Sequence, residues 1–137
     1  MFYDGFMKHV TIYSDCRFNY TTREGGYFAA LEYNGNVKRI SGGIAGRKET
    51  GNRAILYGLI EAVKLLKEPC ELTISTCTPV GFKKRDESVN GDLIAILLNA
   101  MDEKGCVFTE KLVSKEEVRR ITLSHRVSRK KTAQVFP

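Results

Sequence analysis

The sequence predicts an α/β fold: a mixed five-stranded sheet, with three antiparallel strands followed by parallel βα units, flanked by helices. Three observations carry that expectation. The N-terminal third alternates β-branched, aromatic and polar residues around an Asn-Gly pair. A stripe of apolar residues at helical spacing then runs from Thr50 to Lys67. After it, short β-rich runs alternate with helical patterns, and a strand joined to the next through a helix returns in the same direction. The order of elements reads βββαβαβα.

Met7 to Asp15 (MKHVTIYSD) is rich in β-branched and aromatic residues and forms the first strand. Gly26 to Tyr33 and Asn36 to Gly42 flank Asn34-Gly35, which supplies the two positive φ angles of a type I′ turn, so these runs make a hairpin. Between Thr50 and Lys67, Ile55, Leu59, Ala62, Val63 and Leu66 share one helix face turned to the sheet, and Pro69 helps to end the helix. Glu71 to Thr76 (ELTIST) is a short strand. Thr78-Pro79 resembles a helix start, a hydroxyl cap followed by proline at the first helical position. Lys83 to Gly91 is charged and turn-prone; Asp92 to Lys104 carries Leu93, Ile96, Leu97 and Met101 at helical spacing before Gly105 closes it. Cys106 to Val113 is the last strand. Ser114 with Glu117 three residues on matches a capping box that opens a helix through about His125.

At 137 residues and 42% hydrophobic, the chain fits one domain, 1–137, with a basic, flexible tail at 126–137 and no low-complexity tract. No apolar run nears the ~20 residues that span a bilayer, and Met1 to Lys8 lacks the pattern of a signal peptide, so the expectation is a cytoplasmic protein with no membrane partner. Cys16, Cys70, Cys77 and Cys106 are widely spaced with no C-x-x-C pair, which argues against a zinc knuckle or redox dithiol and for reduced, structural thiols. His9 and His125 read as ordinary surface or packing residues.

The net charge of +6 is unevenly placed: residues 118–137 hold six basic and no acidic side chains, and the rest is balanced at 16 of each. Arg119, Arg120, Arg126, Arg129, Lys130 and Lys131 form a block able to neutralise several phosphates, the electrostatic footprint of nucleic-acid binding. The same block also reads as a solvated helix end that complements the helix dipole.

Several phrases, in this order, resemble the ribonuclease H domain across most of the chain. YSDC (Tyr13 to Cys16) is similar to that family's Y/F-T-D-G-S first-strand motif, and GGYFAAL (Gly25 to Leu31) to its G-G-x-G/A-x-x-L second strand. ISGG (Ile40 to Gly43) followed by TGNRAIL (Thr50 to Leu56) resembles the third strand and the T-N-N-R-x-E-L helix start. ISTCT (Ile74 to Thr78) resembles the I-x-T-D-S end of the fourth strand, and NGDL (Asn90 to Leu93) and Lys104-Gly105 extend the match.

The resemblance implies an RNase H-like fold with Asp15 on the family's first catalytic aspartate. It also implies that Ile55 stands where the family has a glutamate and Cys77 where it has a second aspartate; the last helix has no acid after Glu117. Asn52 and Arg53 match the N-R pair, Asn52 standing on an asparagine used near the minor groove of the hybrid, while Gly51 replaces its neighbour. Asp15 and Cys77 are then expected at the carboxyl ends of adjacent parallel strands with residue 55 facing them. Mg²⁺ takes hard oxygen ligands, and two ions ~4 Å apart need several carboxylates, so no metal site is expected, and Mg²⁺ or Mn²⁺ enters only if residual family activity survives. Asp15 then serves structure, accepting hydrogen bonds from backbone or from a neighbour such as Arg53.

Two readings of function lead, and a third stands behind them. One is a non-catalytic module binding an RNA–DNA hybrid or duplex through Asn52, Arg53 and the basic block, with no cofactor. The other is a protein-interaction or assembly module on the same scaffold, including a homodimer on a strand edge or on the apolar Val135-Phe136 end. A third is an enzyme, either a weak metal-dependent ribonuclease or a thiol enzyme using Cys77 beside a helix N-terminus.

Overall fold

Side-chain alternation along β1 (Lys8–Asn19) decides how the sheet is covered. Val10 and Ile12 enter the main core, whereas Tyr13 packs with Ala30 and Val118 on the other side. The computed structural model describes residues 7–82, 89–123 and 136–137. Among them, β1 is joined by β2 (Glu24–Tyr33), β3 (Asn36–Ala45), β4 (Cys70–Thr76) and β5 (Val107–Leu112) in one sheet of order β3-β2-β1-β4-β5. β1, β2 and β3 pair antiparallel, and β4 runs parallel to both β1 and β5. Helices α1 (Gly51–Lys64) and α2 (Gly91–Glu103) cover one face and α3 (Lys115–Thr122) the other. The mixed five-stranded sheet and the order βββαβαβα are those that the sequence predicts.

Local chemistry fixes the element ends. Asn34 and Gly35 have φ of 51° and 81°, closing the β2–β3 hairpin in the left-handed region that an Asn-Gly pair tolerates. Thr50 Oγ1 accepts from Arg53 N at 3.1 Å and caps α1; Ser114 Oγ accepts from Glu117 N at 3.0 Å and caps α3. Gly105, at φ 74°, ends α2 in a Schellman arrangement: its N–H donates to Asp102 O and that of Cys106 to Met101 O.

Three expectations are corrected. β1 does not stop near Asp15 but continues to Asn19, because residues 15–19 keep pairing with β2 as far as Asn19 opposite Glu24, and Asn19 Oδ1 then accepts from Thr21 N and Thr22 N to turn the chain. No helix begins at Thr78-Pro79 among the described residues. The Thr76 hydroxyl donates to Thr78 O at 2.7 Å instead, and Gly81 at φ 93° breaks any helical path while Val80 and Phe82 turn inward. Phe136 is no free apolar end: it is buried in the main core, 6.4 Å from the Tyr33 ring.

α1 crosses β1 closely at Gly58. A Cβ there would lie 2.4 Å from Ser14 Oγ and 3.2 Å from the Tyr27 ring, and that same hydroxyl donates to Ile55 O at 2.9 Å. Alanine gains up to about 1 kcal/mol of helix propensity, but overpacking costs about 1–3 kcal/mol and displacing a buried hydroxyl adds about 1 kcal/mol. Gly58→Ala is therefore expected to lose about 1–3 kcal/mol net in a urea melt. A variant as stable as the parent would show that α1 and β1 are not in close approach.

Candidate functional site

Asp15 is a carboxylate held almost out of water. It lies on β1, is 3% exposed, and by alternation shares the α3 side with Tyr13. The β1–β4 register, Tyr13 opposite Ser75, brings Asp15 level with Cys77 just past the end of β4. The two expected neighbours therefore stand level in the register, although Asp15 sits inside β1 rather than at its end. Cys77 is half-buried against Tyr13 and Val118. Among the described residues no helix starts at Thr78 to set a helix N-terminus beside this thiol.

Ile55 does not face Asp15. It is 3% exposed in the core on the α1 side of the sheet. Nor is Arg53 the partner of Asp15. Arg119 Nε on α3 lies 3.5 Å from Asp15 Oδ2, an ion pair longer than a good charge-assisted hydrogen bond. Asp15 Oδ1 is buried with no hydrogen-bond partner among the described residues. Sequence reasoning missed this pairing, because α3 comes far later in the chain and no local spacing signals it.

Arg53 is instead a tie between helices. It grips Asp92 of α2 through two bonds of 2.9 Å, contacts Glu49 at 3.2 Å, and lies over the Tyr57 ring. The guanidinium holds the Asp92 carboxyl down at about 2, and the carboxylates in turn hold Arg53 more firmly protonated. Asn52, the next residue back, is exposed. Together with Tyr20, Lys48, Thr50 and Asn90 they line an open cleft of about 510 Å³ at the start of α1. Tyr20 and Lys48 were not anticipated; the signal was an aromatic in a polar turn, Tyr20 to Arg23. Tyr20 accepts from Gly51 N at 3.0 Å through its hydroxyl and is 58% exposed.

β1 links this cleft to Arg119. Cys16 and Asp15 are consecutive and reach opposite faces: a Cβ on Gly51, at the start of α1, would be 3.0 Å from Cys16 Sγ, while Asp15 meets α3. Burial pushes the Cys16 thiol up, and that of Cys70 up to about 12, so both stay protonated and structural. Arg119 and Arg120 are exposed. Arg126, Arg129, Lys130 and Lys131 lie outside the described residues.

No protein-family model matches the chain. It is 44% identical over 70 residues to a ribonuclease H of Campylobacter curvus, covering 51% of this chain and 46% of that protein. It is 43% identical over 67 residues to one of a Sulfurovum species, covering 49% and 44%. The chain thus matches about half the length of these curated relatives. Among solved structures it resembles the N-terminal RNase H domain of a Mycobacterium tuberculosis protein, with TM-score 0.64, 17% identity and 85% and 91% of the two chains covered. It also resembles LC11-RNase H1 in complex with an RNA/DNA hybrid, with TM-score 0.62, 18% identity and coverage of 82% and 90%.

Proposed function

From the premise that this chain carries an RNase H-like domain, we propose that it is a nucleic-acid-binding module that holds an RNA–DNA hybrid or duplex without two-metal cleavage. The observation that carries the reading is the donor set around Asp15. Two divalent ions need several hard oxygen donors; here residue 55 is a buried isoleucine, residue 77 a thiol, and the charge beside Asp15 is a guanidinium at 3.5 Å. Among the described residues no group of three or more His, Cys, Asp or Glu could share an ion. These residues do not fit a pair of Mg²⁺ or Mn²⁺ ions.

The binding half of the proposal rests on charge and shape. Lys48 and Asn52 line the α1 cleft on one face of the sheet, Arg119 and Arg120 stand exposed on α3 on the other, and Arg126, Arg129, Lys130 and Lys131 follow α3 in sequence. Phosphates take the basic groups and the Asn52 amide faces the groove, while Arg53 shapes the cleft through Asp92. LC11-RNase H1, of the same fold, was solved with a hybrid bound.

A salt titration with a labelled hybrid tests it. Four phosphate contacts lower affinity about 10²-fold between about 50 and 200 mM salt. Cleavage should be absent with Mg²⁺ or Mn²⁺; cleavage lost in Asp15→Asn would overturn the non-catalytic half. No binding at low salt would leave the assembly reading, which the exposed Val107 and Leu112 of edge strand β5 favour.

A further inference from the structure

The geometry points to Arg119 as a metal-independent phosphate site, its guanidinium seated on the buried Asp15 carboxylate and its free N–H groups turned to a phosphodiester of bound nucleic acid. This rests on the nucleic-acid reading above and names the contact that would replace a cation in it.

Several other guanidiniums are already engaged within the protein. Arg53 is occupied by Asp92 and Glu49, Arg39 donates to Ile121 O, and Arg23 donates to the carbonyls of Arg47 and Glu49. Arg119 approaches Asp15 with Nε at 3.5 Å, its Nη atoms make no hydrogen bond among the described residues, and the side chain stays 48% exposed. A buried carboxylate behind an exposed guanidinium is a positioning device: it limits the rotamers of a long side chain, so less entropy is lost when a ligand binds. The remaining N–H fork matches two phosphate oxygens, as an ammonium would not. Asp15 is thus the positioning residue and Arg119 the one that touches the ligand.

The same pairing has a cost that gives the site its signature. The negative charge at 3.5 Å offsets part of the guanidinium's attraction for a phosphate. Removing it gives up that ordering but lifts the opposing charge, which at 3.5 Å is the larger effect, so binding should strengthen, whereas a metal-borne phosphate would be lost with its ligand.

The full chain is titrated with a labelled RNA–DNA hybrid in EDTA across salt. Asp15→Asn is expected to bind about two- to fivefold more tightly than the parent, with an unchanged salt slope. Adding Arg119→Gln to Asp15→Asn should weaken binding about tenfold and reduce the slope by about one; adding Arg119→Lys instead should restore the slope but not the full affinity. The Asp15→Asn background avoids leaving a buried charge unpaired, and rescue by lysine excludes misfolding. If the parent binds hybrid but Arg119→Gln leaves slope and affinity unchanged, the inference fails alone. It also fails if binding requires Mg²⁺ and disappears in Asp15→Asn. If the parent binds no hybrid at low salt, the functional reading itself fails.

Discussion

Ile55→Glu is expected to destabilise the protein by about 3–5 kcal/mol at neutral pH and to remain destabilised when Mg²⁺ or Mn²⁺ is added. Ile55 is 3% exposed in the core with Leu56, Leu59 and Val10, so the substitution forfeits about 2 kcal/mol of apolar burial before charge is considered. A carboxyl placed there loses its water, which raises its folded pKa above its unfolded value near about 4.3. The sign follows: a raised carboxylate pKa penalises folding fully above the folded value, and the penalty fades as pH falls toward the unfolded one. Denaturant melts at neutral pH and in mild acid should therefore differ less from the parent in acid. Stability recovered specifically by a divalent ion would mean that position 55 shares an ion with Asp15, and the assignment of the two residues to opposite faces of the sheet would be wrong.

What the sequence made legible is what the backbone needs locally. Asn34-Gly35 must turn, Thr50 and Ser114 must satisfy the first amides of α1 and α3, and Gly105 must take a left-handed φ; each requirement is met by neighbours a few residues away. The same kind of signal misled at Thr78-Pro79, because the Thr76 hydroxyl took the Thr78 carbonyl and Gly81 adopted φ 93°. Asp15 on β1 and Cys77 just past the end of β4 stand level, since register follows from parallel pairing of β1 and β4. The charges did not sort from sequence. Arg53 had two acids within reach, Glu49 just before the cap of its own helix and Asp92 on α2, and took both, leaving Asp15 to Arg119 on the opposite face. Which cation meets a carboxylate depends on which side of the sheet the strand turns it, and β1's one-residue alternation decides that.

That choice of partner has a thermodynamic signature. Arg119→Gln is expected to cost about 2 kcal/mol in the parent, because it leaves a carboxylate that is 4% exposed without its opposite charge. A fully buried pair would cost about 3–5 kcal/mol, but Arg119 is half in water and solvent already screens part of the attraction. Asp15→Asn should change stability by less than about 1 kcal/mol, since it removes the desolvated charge along with the attraction and Oδ1 had no hydrogen bond to lose. In the Asp15→Asn background, Arg119→Gln should then cost only a few tenths of a kcal/mol, giving a coupling of about 1–2 kcal/mol from the four melts. Equal costs of Arg119→Gln in both backgrounds would mean that the guanidinium is not what keeps this carboxylate buried. The pairing would then be an accident of two side chains at 3.5 Å, and the seat assigned to Arg119 on Asp15 would be lost with it.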